Sequence, residues 1–328
     1  MQVRRVQEMG GATLLVSLPK DWAKSVSLRK GSTVSIEQAS DGGLLIYPFD
    51  EASESRPDKE IEIEYPSKYS NRSTPNEITA AYLLGYDQIR VKGRHRISIN
   101  DRSEILSSIK LLIGLEVVEE NAFSITTQFL VDKTAVEPSK IFRRISSIVR
   151  AMISDTIKQL TSTESYPFES IAQRDDEVDR LHFLLVRLIR TAIREPRTAG
   201  KYGLSAIDCL DFRVAASSLE TAGDYAVELS NSVPSLKGAE RALKSRIVQM
   251  ETLLDSIQVN ATLCFSRKDF ELAQKVFEEC EMLNQVLRGF RESPENVLPG
   301  VLHFADTVER IARCQRDIAD LVSPMSPA

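Results

Sequence analysis

With 328 residues, 42% of them hydrophobic and 27% charged, the chain has room for two or three domains with ordinary soluble cores. Its net charge is −5, so any polyanion partner has to be met by a local excess of cations. No apolar run approaches the roughly 18 residues of a membrane span and the opening Met1-Gln2-Val3-Arg4-Arg5 has no apolar leader, which argues against membrane insertion and predicts a cytoplasmic protein.

The first elements alternate strand and turn. Val3–Gln7 and Thr13–Leu18 read as strands around a Gly10-Gly11 turn, followed by Pro19 and a short helix over Lys20–Ser25. Lys30-Gly31 turns the chain into a strand at Thr33–Glu37, and Asp41-Gly42-Gly43 reverses it into Leu44–Tyr47. So short a stretch does not bury a core alone, and a second copy is expected to complete it. Residues 1–36 carry six cations (Arg4, Arg5, Lys20, Lys24, Arg29, Lys30) against two anions (Glu8, Asp21), a local +4 that points to a polyanion partner.

The ordered string Val3-Arg4-Arg5-Val6, Met9-Gly10-Gly11, Val16-Ser17-Leu18-Pro19-Lys20-Asp21-Trp22, Leu28-Arg29-Lys30-Gly31 and Leu44-Leu45-Ile46-Tyr47-Pro48 resembles the SpoVT/AbrB-type swapped-hairpin DNA-binding domain. The resemblance implies a homodimer or higher homo-oligomer and assigns DNA contact to Arg4, Arg5, Lys20, Arg29 and Lys30. Many bacterial members place an arginine directly after the first turn glycine. Gly11 stands there in this chain, so phosphate contact is the safer expectation than base readout.

Residues 51–60 read as a linker, acidic and without a large apolar residue. The pattern then runs strand (Ile61–Tyr65), helix (Asn76–Gly85), strand (Gln88–Val91), helix (Asn100–Ile113, capped by Ser98 or Asn100), strand (Glu116–Glu119) and strand (Ser124–Val131). It predicts a small α+β domain with a half-covered sheet, and Gly93-Arg94-His95-Arg96 reads as a solvated loop rather than a second nucleic-acid contact. From Pro138 the period becomes helical: Ile141 to Leu160, Val178 to Ala192, Leu210 to Leu229, Leu243 to Ala261, Phe270 to Leu283 and Leu302 to Leu321. Breaks fall at Pro167, Pro196–Gly203, Pro234, Arg267 and Pro294–Pro299. The two sets of three helices look like copies, with Leu219–Asp224 matching Val308–Arg313 and Val178–Leu181 matching Cys280–Leu283. The predicted architecture is therefore multidomain: a swapped-hairpin β domain (1–50), linker (51–60), α+β domain (61–135), and tandem three-helix bundles (136–233 and 234–323).

Asp175 and Asp179 stand four apart, as do Glu220 and Asp224, so each pair projects from one helix face, where like charges repel. A cation between the helices is one explanation, and all-oxygen ligands suit a hard divalent ion or iron. The segments Asp175-Asp176-Glu177-Val178-Asp179 and Glu220-Thr221-Ala222-Gly223-Asp224 resemble the metal-binding motifs of PhoU-type phosphate uptake regulators, whose fold is two tandem three-helix bundles. Together with the N-terminal segment the whole is similar to archaeal-type PhoU regulators that carry an AbrB-type domain. In the second set Phe277 precedes Glu281 and Arg313 follows Glu309, so a metal site is expected in the first bundle only, with Arg313 pairing Glu309 instead.

His95, His182 and His303 are scattered, and His182 makes a single D-x-x-H with Asp179, short of a di-iron set. Cys209, Cys264, Cys280 and Cys314 lie far apart in apolar patterns and read as buried thiols. Nucleophile, acid–base pair and Gly-rich phosphate loop are all missing, so no enzyme is expected. The resemblances imply a DNA-binding transcriptional regulator of phosphate homeostasis. The alternative is an adaptor acting by contact on a phosphate transporter or its regulator. An antitoxin would share the hairpin, but some two hundred helical residues argue against that class.

Overall fold

The computed structural model describes residues 3–11, 13–38, 42–49, 59–68, 73–132, 135–161, 168–236, 240–292 and 299–322. The linker expected over 51–60 falls mostly outside them, as do the breaks at Pro167 and Pro294. The chain divides into two compact units, Met1–Asp58 and Lys59–Ala328.

The first unit holds β1 (Gln7–Met9), β2 (Thr13–Leu15), α1 (Lys20–Ser25), β3 (Val34–Gln38) and β4 (Leu44–Pro48). β1 pairs antiparallel with β2 about Glu8↔Leu14, and β3 with β4 about Ile36↔Ile46, as two separate two-stranded sheets. The strand expected at Val3–Gln7 lies instead at Gln7–Met9, sharing only Gln7, and the one expected at Thr13–Leu18 contracts to Thr13–Leu15, because the ladder covers only the turn-proximal positions. Gly10 and Gly11 sit at φ of 66° and 81°, the left-handed region that the turn requires and that glycine enters without strain.

The second unit begins with β5 (Glu60–Tyr65), α2 (Thr74–Leu83), β6 (Gln88–Gly93), α3 (Ile99–Lys110), β7 (Leu115–Glu120) and β8 (Ser124–Phe129). The sheet order is β5-β6-β8-β7, with β5 parallel to β6 and the remaining pairs antiparallel. Of the two candidate caps, Ser98 takes the position at α3, its hydroxyl accepting from the Asp101 amide at 3.1 Å. Alternation along the strands buries Ile63, Ile89, Val91 and Ile125 in the core that Ile78, Tyr82, Ile105 and Ile109 of the helices share. The other side chains pair in solvent, Lys92 with Glu62 at 3.4 Å and Arg90 with Glu119 at 3.6 Å. Arg94 of the basic turn meets Glu64 at 2.5 Å, in keeping with a solvated loop.

The helical part comprises α4 (Pro138–Thr161), α5 (Phe168–Arg194), α6 (Pro196–Tyr202), α7 (Ala206–Ser232), a 3-10 turn (Val233–Leu236), α8 (Glu240–Arg267), α9 (Phe270–Arg291) and α10 (Pro299–Asp320). All six long helices fall where the apolar period predicts them. The expected break at Pro196–Gly203 is instead the short α6, because Pro196 suits a first helical position and Gly203, at φ 66°, closes the last turn. α4, α5 and α7 pack mutually, as do α8, α9 and α10, and α4–α8 with α7–α10 join the two bundles. Phe142 of α4, Phe212 of α7 and Phe265 of α8 interlock at this junction, with centroids 4.8 Å apart for Phe142–Phe265 and 4.9 Å for Phe212–Phe265.

Candidate functional site

α5 and α7 run side by side in the first bundle, and Gly223 lets them come close. A Cβ there would sit 3.1 Å from Asp175 Oδ1 and 3.4 Å from a Val178 methyl, so the residue between Glu220 and Asp224 has to be small. The expected carboxylates lie within one another's electrostatic field at this contact. Burial first, then the charges of Asp179, Asp224, Asp176 and Glu220, push the Asp175 carboxyl up from 3.8 to about 7. Burial and then Asp224 raise Asp179, burial and then Asp224 and Asp179 raise Glu220, and burial raises Asp224. Asp175 Oδ1 is buried with no hydrogen-bond partner among the described residues.

Two nearby arginines are engaged elsewhere, Arg174 with Asp155 at 2.5 Å and Arg144 with Glu177 at 2.7 Å, while the charge of Arg213 partly offsets the rise at Glu220. The donor chemistry suits a hard cation, but the arrangement is looser than a ligand set. Among the described residues no three His, Cys, Asp or Glu side chains converge as metal ligands. His182 is buried one turn beyond Asp179, its Nδ1 3.2 Å from the Ala216 carbonyl, and burial lowers its pKa.

In the second bundle, Arg291 of α9 donates to Glu309 and to Asp306, both at 2.6 Å. The cation that meets Glu309 thus comes from α9, not from Arg313 on its own helix, because Arg291 reaches across the helix pair. Arg316 lies over the Phe277 ring at 5.7 Å.

Sequence reasoning missed a third feature, further along α5. Arg187, fully buried, donates to the carbonyls of Tyr82 at 2.7 Å and Tyr86 at 2.9 Å and to Asp87 at 3.0 Å, and stacks 3.9 Å from the Phe129 centroid. Arg190 and Arg194 donate to the carbonyls of Leu83 and Leu84. Three guanidinium groups thus cap the negative C-terminus of α2 and fix the sheet domain to α5. The i, i+3, i+7 spacing of these arginines within an apolar helix was the available signal.

In the first unit, Arg4, Arg5, Lys20, Arg29 and Lys30 are all exposed. No described residue from 3 to 49 is buried, and Val6, Leu14, Val16, Ile36, Leu44 and Phe49 are each at least half exposed. An arginine at position 11 would have to adopt φ near 81°, so the turn geometry itself favours the glycine found there.

Two family models match the chain: a PhoU domain over residues 142–233, and "Antidote-toxin recognition MazE, bacterial antitoxin" over residues 9–53. An N-terminal segment similar to a MazE-type domain thus precedes, in one chain, a segment similar to a PhoU domain. The PhoU match runs from within α4 to the end of α7 and so takes in the carboxylate pairs and the three arginines, but not the α2 terminus that the arginines cap. The crystal structure of PhoU from Pseudomonas aeruginosa is similar to 56% of this chain over 93% of its own, at 16% identity and a TM-score of 0.46. No match was found among curated proteins. Among the described residues no helix is long and apolar enough to cross a membrane.

Proposed function

We propose that the protein is a DNA-binding transcriptional regulator of phosphate uptake that acts as a homodimer. The MazE-type hairpins bind DNA and the PhoU domain with its flanking bundle receives a signal or a partner. The observation that carries this reading is the first unit, in which exposed apolar side chains call for a twin while five exposed cations supply a phosphate-binding surface. The name of the PhoU domain supplies the phosphate assignment. Association with a toxin, which the MazE description names, has less behind it, because that match ends at residue 53 and leaves the whole second unit unexplained.

The deciding experiment is DNA binding by the full chain at several salt concentrations, beside Arg4→Ala, Arg5→Ala and Lys30→Ala. The logarithm of affinity should fall with log salt at about 0.9 per phosphate neutralised, and each substitution should reduce that slope by about one unit. Binding indifferent to both salt and substitution would sink the reading and favour an adaptor that touches a phosphate transporter or its regulator.

The carboxylates Asp175, Asp179, Glu220 and Asp224 are part of the same proposal as the site of a divalent cation or iron, to which their side chains would have to converge further than they do here. Metal analysis of the purified protein beside Asp224→Ala tests this, and equal contents would end it.

A further inference from the structure

The two three-helix bundles meet along α4–α8 and α7–α10, and each of those four helices carries buried polar groups. α9, on the outside, buries only Ala273, Val276, Cys280, Leu283, Leu287 and Phe290. On the joining helices, by contrast, Thr156 of α4, Gln258 of α8 and Gln315 of α10 are each at least 98% buried. Thr156 Oγ1, Gln258 Oε1 and both polar atoms of Gln315 have no hydrogen-bond partner among the described residues. A buried amide without a partner destabilises the closed arrangement relative to any state that lets water reach it.

Around the Phe142, Phe212 and Phe265 cluster the edges of the junction are polar. Gln258 Nε2 donates to the Ser146 carbonyl at 3.0 Å, Arg150 meets Asp255 at 2.5 and 2.8 Å, and Ser154 donates to Glu251 at 3.3 Å. On the other edge Glu228 of α7 receives Arg310 and Thr307 of α10 at 2.9 and 3.3 Å, with His303 at 3.3 Å. The α4–α8 edge is incompletely closed, with a groove of about 650 Å³ between Ser147, Ser154, Lys158, Thr252 and Asp255.

We infer that the plane between the two bundles is a built-in yielding surface, along which the bundles part as units and hydrate Gln258 and Gln315 while each three-helix core stays intact. The polar edge contacts are exchanged with water on opening at little net cost and the Phe142–Phe212–Phe265 cluster is uncovered, whereas the apolar faces inside each bundle stay packed. The unpaired Gln315 amide, Gln258 Oε1 and Thr156 hydroxyl narrow the gap between closed and open states, giving the helical body a motion on which a ligand or partner can act.

The native thiols report this motion. Burial raises Cys280 and Cys314 alike to about 12, so they differ in access rather than in thiolate content. Cys280 lies inside the second bundle, its sulfur 3.9 Å from the Ala312 carbonyl, whereas Cys314 follows by seven and four residues Thr307 and Arg310, which bond Glu228 of α7, and so shares their helix face. In the full-length protein Cys314 should react with a thiol reagent faster than Cys280. Gln315→Leu should slow Cys314 about tenfold, leave Cys280 unchanged, and raise Tm by about 2–4 °C. Thr156→Val, which removes an unpaired hydroxyl, gives the same pattern should the first variant fail to fold. A lower Tm in either variant would show that the Gln315 amide and the Thr156 hydroxyl are hydrogen-bonded in the closed state and would overturn the inference. So would slowing of both thiols alike, which marks global unfolding, or no change in either.

Discussion

The two compact units solve the same physical problem in different ways. From residue 3 to 49 apolar side chains alternate as in any sheet, yet no described one is buried; in the helical part Phe142, Leu185, Leu219 and Phe290 are wholly enclosed. Apolar patterning alone therefore does not say where the pattern is satisfied. In the second unit it closes on neighbouring helices of the same chain, and in the first it is left facing outward beside five cations, the surface that association with a twin would complete.

The sharpest test of that contrast sets one apolar truncation in each unit side by side. Phe142→Ala removes the ring that meets Phe212 and Phe265 and should cost about 3–5 kcal/mol, with a Tm independent of protein concentration. Leu14→Asp, on a residue 72% exposed, should leave the unfolding of the helical part within about 0.5 kcal/mol while abolishing the proposed dimer, as light scattering would report. If Leu14→Asp proved as destabilising as Phe142→Ala, or left the dimer intact, the contrast would collapse.

Next in size is the joint inside the second unit. Arg187→Ala leaves Asp87, the Tyr82 carbonyl of α2 and the Tyr86 carbonyl just beyond it without their buried donor and should cost about 3 kcal/mol, against about 0.5–1 kcal/mol for Arg194→Ala at the exposed end of the same cap. Chemical denaturation of the two variants measures both. Equal losses would mean that burial is not what gives Arg187 its weight.

How much of this the sequence announced depends on the range of the interaction. All six long helices were legible from their apolar period, and the acidic pairs from four-residue spacing, because both signals are local to one helix. α6 was read as a break because Pro196 and Gly203 mark helix ends as readily as loops, and only packing shows that the residues between them are helical. The partner of Glu309 and the targets of Arg187 lie on other elements, which no periodicity reveals. Whether the charge of Asp224 reaches Asp175 likewise depended on how closely Gly223 lets α7 approach.

The carboxylate face gives a smaller, pH-dependent effect. The folded chain keeps a proton on Asp175 up to about pH 7 that the unfolded chain releases near 3.8, so this group makes stability fall as pH rises between those values. Asp175→Asn holds the neutral form at every pH. It should flatten that slope and stabilise the protein at pH 8 by about 1–2 kcal/mol, after allowance for the half-solvated position. Parallel Tm profiles for the two proteins from pH 5 to 8 would show that Asp175 is already relieved of its neighbours' charge.

The smallest effect belongs to Arg150→Ala, at the edge where the bundles meet. Its two-pronged contact with Asp255 is well formed, but both side chains are more than 40% exposed and water screens the pair. The loss should not exceed about 1 kcal/mol and should shrink further in high salt. The cations of the first unit sit in equally open positions, and their worth likewise depends on ionic strength, but it is read in DNA affinity rather than in folding. A loss above about 2 kcal/mol for Arg150→Ala would mean that the junction relies on its rim rather than on the apolar contacts beneath. Parting of the two bundles would then be governed by salt as strongly as binding of the basic hairpins to a phosphate backbone.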